Sequence, residues 1–298
     1  MTSQPVSFPS PQTAQFNKVP DVPSVKVMKD MDKRLQTMCR IRTVPYDGAL
    51  GDKYYVNPMA DIIAQEMANP CVREHLRFYP EDAGKQVIEY WQASDWHRET
   101  EPLKLIPMAN IGSQHFFIHK PCFLADGHAC VPFGWFTCEH KLFARAWLLQ
   151  PVVGEVSSGW VVEEYNEIDV SEDMFLVSFG LWTSSYSTQS LPNPTNILGT
   201  LSTVDGPIQP WTHTDAQQGN QWRALAKGHH VYCFHIWFYC NDTLGNTSKK
   251  WNKHNSLLFT PAGLPHTHVH QELNVHFLCT LNLAPLLEML DGIVDQLE

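Results

Sequence analysis

Positive charge is scarce in this chain: 21 Lys and Arg stand against 31 Asp and Glu, a net charge of −10. Proteins that hold nucleic acid chiefly through phosphate contacts need the opposite balance, so an extended basic coat is excluded. No apolar run approaches the roughly 20 residues that span a bilayer, and no membrane partner is expected. The opening MTSQPVSFPSPQTAQ lacks the basic start and apolar core of a secretory signal, so an intracellular protein is expected. None of the eight cysteines forms a C-x-x-C pair, which removes the commonest zinc and redox spacings. In a reducing compartment they are expected as small buried hydrophobes. The N-x-S/T sequons at Asn241 and Asn246 are then unused.

What the chain does have is enough apolar material, 43% over 298 residues, to bury a substantial core. Residues 1–24 hold five prolines and few large apolar side chains, the composition of a disordered lead. A helix is expected over 25–42 with Val27, Met31, Leu35 and Met38 on one face. A second starts at Asn57-Pro58, with Met59, Ile62, Ile63 and Met67 inward, and stops at Asn69-Pro70. A third is expected over 84–99 with Val87, Ile88 and Trp91 inward. Strand-like pieces then follow, HFFIH (115–119), ACVPFGWF (129–136) and GWVVEEY (159–165), while 178–220 reads as a long irregular connection. Seven carboxylates and no Lys or Arg fall between 155 and 173, so the rest of the chain is near about −3. A boundary near 215–225 would divide an α+β region, 25–220, from a second domain, 221–298.

That second domain opens with VYCFHIWFY (231–239), an apolar run suited to a strand covered on both faces. SLLFT (256–260) and NVHFLCT (274–280) are further strands, and PLLEMLDGIVDQL carries Leu287, Leu290, Val294 and Leu297 along one helical face. Three strands, a polar turn after the first, and a helix are how a ribonuclease-H-like fold begins. The expected fold class is therefore α+β, ending in an incomplete β-β-β-α portion of such a domain.

The same residues carry a resemblance. NDTLGNTSKKWNKHNSLLFTPAGLP (241–265), ELNVHFLCTLNLAPLLEMLDGIVDQLE (272–298), YYVNPMADIIAQEMANPCVREHLRFYPEDAG (54–84) and GNQWRALAKGH (219–229) resemble the Plavaka-type transposon proteins of mushroom-forming fungi. These are CACTA-related elements, close to the Kyakuja, Dileera and Zisupton groups. The resemblance implies the N-terminal part of a DNA transposase, a nuclear location, and Mg²⁺ held by three carboxylates in an active enzyme. In the family the first core strand typically ends in D-D-T-S-G-N, where this chain has Asn241-Asp242-Thr243-Leu244-Gly245-Asn246. The best-placed ligand is thus an uncharged amide, Asn241, which weakens a hard-cation site. Asp242 could replace it only by a one-residue slip that reverses side-chain direction. His266 also departs from the arginine usual after GLP, and the later carboxylates of the family lie beyond Glu298. The implied protein is a catalytically incomplete transposase fragment, with no cofactor and at most a role in binding DNA or transposase.

Three other groups have candidate chemistry. Lys249, Lys250, Trp251 and Lys253 would make a weak, salt-dependent DNA patch, with the indole stacking on a base. His266, His268 and Glu272 follow the H-x-H-x3-E spacing of a cupin metal motif, with His270 and His276 nearby, provided the segment is a strand. Cys122, His128, Cys130, Cys138 and His140 offer possible zinc ligands at unusual spacing, although structural zinc there is the minor alternative. The ten tryptophans are expected mainly as core. Self-association through an uncovered edge of the 231–239 strand is also expected.

Overall fold

The computed structural model describes residues 23–93, 96, 100–101, 104–154, 158–189, 191–214, 220–244, 253–281 and 285–296. It is a mixed α+β structure that divides into two compact units. The smaller comprises Met1–Arg73, Phe238–Thr260 and Val275–Glu298; the larger comprises Glu74–Trp237 and Pro261–Asn274. The chain thus leaves the larger unit first at Trp237, downstream of the 215–225 region. Strands and helices are numbered along the chain.

In the smaller unit, α1 (Val25–Cys39) starts at Ser24, whose hydroxyl accepts the Val27 N–H at 3.3 Å. Val27, Met31, Leu35 and Met38 share a face as expected, yet no residue of α1 is buried. The antiparallel hairpin β1 (Val44–Asp47) and β2 (Lys53–Val56) follows. In α2 (Met59–Ala68) Met59 and Ile62 are buried, the i, i+3 face read from the sequence. Asn69 ends that helix, and Pro70 opens the single turn α3 (Pro70–Arg73).

The expected β-β-β-α order occurs in the C-terminal part. β11 (Ile236–Leu244), β12 (Lys253–Pro261) and β13 (His276–Leu281) form one sheet in that order, and α7 (Leu286–Val294) follows. Two details correct the sequence reading. The apolar run at 231–239 is not a doubly covered central strand: β11 begins at Ile236, lies at the sheet edge, and leaves Trp237, Phe238 and Tyr239 exposed. The centre goes to β12, which alone has a partner on each side.

The buried face of α7 also differs, being Glu288, Met289, Gly292 and Ile293, while Leu287 and Val294 are exposed. Tyr54 of β2 sets this orientation. Its hydroxyl donates to the Glu288 carbonyl at 2.7 Å and accepts the Gly292 N–H at 3.1 Å. A side chain at 292 would put its Cβ 2.8 Å from that hydroxyl, so glycine is required by close approach. One oxygen of the buried Glu288 carboxylate accepts the Leu50 N–H at 2.8 Å. On β13, Asn57 donates its backbone N–H to the Leu278 carbonyl at 2.8 Å and its side-chain amide to Phe277 at 3.1 Å.

The larger unit is built on a six-stranded sheet of order β10-β8-β7-β6-β5-β9. Its strands are β5 (Cys122–Leu124), β6 (Ala129–Cys138), β7 (Lys141–Val153), β8 (Ser158–Ser171), β9 (Phe175–Val177) and β10 (Ile197–Leu201). All neighbours are antiparallel except β10, which runs parallel to β8. A separate hairpin, β3 (Met108–Ile111) and β4 (Gln114–Phe117), precedes it. Cys130, Trp135, Ala144, Ala146 and Val170 pack on one side of the sheet, and Val131, Phe133, Trp147, Leu149, Trp160 and Val162 on the other. A register shift between Pro132 and Gly134 lets β6 present Cys130 and Trp135 to the same side despite their odd spacing. Proline suits such a position because it has no N–H to contribute to the ladder.

Two segments of this unit correct the sequence reading. Over 84–93 the helix expected for 84–99 is replaced by irregular chain and a 3₁₀ turn, Tyr90–Gln92, and most of 94–99 lies outside the described residues. Glu81 folds that segment back: its backbone N–H donates to the Trp91 carbonyl, and its carboxylate accepts the Trp91 indole N–H at 2.9 Å and the Gln92 amide at 3.0 Å. Trp91 is buried as expected, whereas Val87 and Ile88 are exposed. The connection at 178–220 contains α4 (Phe179–Ser185) and β10, and α5 (Gln221–Ala226) comes next.

Removing the Tyr54 hydroxyl removes the two hydrogen bonds that tie β2 to α7 at the Glu288 carbonyl and the Gly292 N–H. Tyr54→Phe is expected to lower unfolding stability by about 1–3 kcal/mol, and Gly292→Val by more, in urea titrations followed by circular dichroism.

Candidate functional site

The strand end singled out from the sequence is not a turn. β11 runs to Leu244, so Asn241 and Asp242 are consecutive strand residues. Asn241 is exposed, and the Asp242 side chain lies outside the described residues. Lys249, Lys250 and Trp251 lie outside the described residues as well. Lys253 opens β12, with its side chain likewise outside them.

The H-x-H-x3-E spacing loses its geometric basis, because the segment is not a strand. His266 and His268 lie on the single turn α6 (His266–Val269), entered from Pro265, and Glu272 is an exposed residue of a 3₁₀ turn, Glu272–Asn274. Residues two apart on a helix point in different directions. His266 turns to Glu89, which accepts its backbone N–H at 2.9 Å and lies 2.9 Å from its Nδ1. His268 packs against His75 with ring centroids 4.2 Å apart. His276, in the smaller unit, sits 3.7 Å from Glu66, and burial pushes the histidine pKa down and the carboxyl pKa up. Both shifts favour neutral forms, so this pair is a weak ionic contact despite its proximity.

The five possible zinc ligands are also dispersed. Cys122 and Cys130 face each other across β5 and β6 with Sγ atoms 3.5 Å apart. Cys138 ends β6, His140 lies in the turn after it, and His128 pairs with Asp126 at 3.1 Å. Among the described residues, no group of three or more His, Cys, Asp or Glu side chains is arranged to hold a metal ion.

The structure assembles a cluster that sequence reasoning missed, around His119. This residue follows β4 with a left-handed backbone, φ 57°, and its N–H donates to the Pro132 carbonyl at 2.7 Å. Its buried ring is parallel to Trp147 at 6.3 Å and 4.9 Å from the His213 ring. Trp211 meets both His119 and Trp147 edge-on, while Phe133 stacks on the far part of the group, 4.2 Å from Trp147. His213 Nε2 lies 3.2 Å from the Glu164 carboxylate at the more open margin. Two later residues are fastened here: Thr214 donates to the His119 carbonyl at 3.3 Å, and Asn220 donates to the Ile118 carbonyl at 2.8 Å.

Burial, reinforced by the neighbouring His213, lowers the His119 pKa to about 4. The imidazole is therefore neutral at ordinary pH, and its Nδ1 has no hydrogen-bond partner among the described residues. What the group can do is respond to protons: acid would place a cation among aromatic rings and next to a second histidine. No local motif announced it, since His119 and His213 come from distant parts of the chain. The only hint was the aromatic-histidine pattern W-T-H-T at 211–214.

The cluster falls within residues 108–232, which match a family described as a domain of unknown function (DUF8591). No curated protein and no solved structure matches the chain at a significant level.

The pKa shift has a stability consequence. The unfolded chain binds a proton on this histidine below about 6.5 and the folded chain only near 4, so stability is full above pH 6.5 and falls between 6.5 and 4. The loss attributable to His119 is on the order of 3 kcal/mol. Denaturant titrations at several pH values should show His119→Phe flattening this slope; an unchanged slope would place the dependence on other groups, such as the half-buried His235.

Proposed function

We propose that this chain is a transposon-derived protein without nuclease activity of its own, whose residual role is to bind DNA or a transposase in the nucleus. The resemblance in four ordered segments from 54 to 298 supports it. So does the β11-β12-β13-α7 order, which is how a ribonuclease-H-like domain would begin. The observation that carries the inactive reading is Asn241. Two-metal phosphoryl chemistry needs converging negative charge to hold two Mg²⁺ ions, and an amide at the first position supplies none. The adjacent Asp242 is a poor substitute because a one-residue slip along a strand reverses side-chain direction.

The geometry at His266, His268 and Glu272 gives a cupin-like alternative nothing to rest on, since the alternating strand it needs is absent. For DNA, the net charge of −10 restricts the reading to a local patch. Lys249, Lys250 and Lys253 with Trp251 are the proposed contacts. They would give sequence-tolerant binding through phosphates and a stacked base.

Two outcomes follow. The purified chain should neither nick nor join DNA with Mg²⁺ or Mn²⁺, and Asn241→Asp should not restore activity, because one ligand does not assemble a two-metal site. Cleavage that needs metal and disappears in Asp242→Ala would refute the inactive reading. Secondly, electrophoretic or anisotropy titrations should show weak DNA binding that falls steeply with salt and is lost when the three lysines are changed to alanine. Binding that survives both treatments would assign the contact to another surface.

A further inference from the structure

The apolar face of α1 is mostly exposed, Val27 being 50%, Met31 58%, Leu35 52% and Met38 76% exposed, with Leu35 also bordering a cavity shared with Tyr55, Asn57 and Phe277. A groove lined by Val27, Asp30, Met31, Arg34, Leu35 and Met38 runs along it. At 3.6 residues per turn, the order around the helix is Asp30, Arg34, Val27, Met38, Met31, Leu35, Met28. One border of the face is therefore charged and the other apolar. Neither Asp30 nor Arg34 makes an ion pair within 4.0 Å among the described residues.

We propose that α1 joins two copies of this chain, packed antiparallel about a two-fold axis level with residue 32. The charge order selects this partner and this direction. A two-fold that reverses the helix direction brings each border against the same border of the other copy, running the opposite way. Asp30 and Arg34 lie two residues to either side of 32, so each meets its complement, giving two equivalent ion pairs. On the apolar border Leu35 comes within one residue's rise, about 1.5 Å, of the level of Met28 of the other copy, and Met31 lies beside its own counterpart near the axis. Val27 then packs near Met38. A parallel pair would set the charged border against Met28 and Leu35, leaving both charges facing apolar side chains. The 15-residue helix is about 22 Å long, well short of a standard interface, so the association is weak and dependent on concentration. It does not depend on the transposon reading.

Sedimentation velocity on the full chain, from about 1 to about 100 µM, reads this directly. Wild type should shift from monomer to dimer across that range. Asp30→Arg and Arg34→Asp each create like-charge contacts and should weaken the dimer about tenfold. An equimolar mixture of the two variants should recover it, because a chain with cations at both positions then faces a chain with anions at both. Recovery on mixing also shows that both variants keep the helix. A wild type that stays monomeric, single variants that associate as wild type does, or a mixture no better than its components would overturn the proposal.

Discussion

Trp135 and Trp147 project from neighbouring strands to opposite sides of the same sheet, and each is almost wholly inside. A sheet with large apolar rings on both sides must be covered on both, and the larger unit is organised to do so. The hairpin β3–β4 contributes Phe116 and Ala109 to the Trp135 side, and α4 contributes Trp182 to the Trp147 side. The register shift at Pro132 and Gly134 belongs to the same solution, since it changes which residues of β6 face which layer. Burial of ring-sized side chains in both layers is the main favourable term available to such a sheet.

That double cover explains how a strained histidine comes to be buried. The chain turning from β4 into β5 passes over Trp147, and His119 fills the space against that indole with its N–H satisfied by Pro132. Trp211 and His213 are added from a later part of the chain, leaving Glu164 at the margin to meet the one histidine that retains solvent contact. Charge is thus kept at the rim and a neutral ring inside. The smaller unit buries a mainly aliphatic core, including Val56, Leu257, Met289 and Ile293, and adds a few directional contacts to it. Tyr54, Asn57 and Leu50 tie the N-terminal hairpin to α7 and β13.

Much of the strand content was legible because aromatic and β-branched residues concentrate in it: β6 and β8 contain the runs read from the sequence. β7 was not, although it is central, because Arg145 and two alanines dilute its apolar pattern. Over its described part the 84–99 helix failed for a nameable reason: the Glu81 backbone N–H takes the Trp91 carbonyl, and the Glu81 carboxylate anchors the Trp91 indole and the Gln92 side-chain amide. In α7 the sequence ranked leucines above glycine and glutamate, but the Tyr54 hydroxyl reaches two groups that only a glycine-bearing face offers. Among candidate sites, spacing misled at His266 and His268 because Pro265 starts a helical turn there. The His119 group depends on residues 94 positions apart, a proximity that spacing does not encode.

The functional account turns on whether the end of β11 can hold a divalent cation. Mn²⁺ titration of the full chain, followed by electron paramagnetic resonance, measures this without requiring a DNA substrate. The account predicts only weak, non-stoichiometric binding that Asp242→Ala leaves unchanged. A stoichiometric Mn²⁺ site abolished by Asp242→Ala would contradict it and restore a metal-dependent nuclease as the function of this chain.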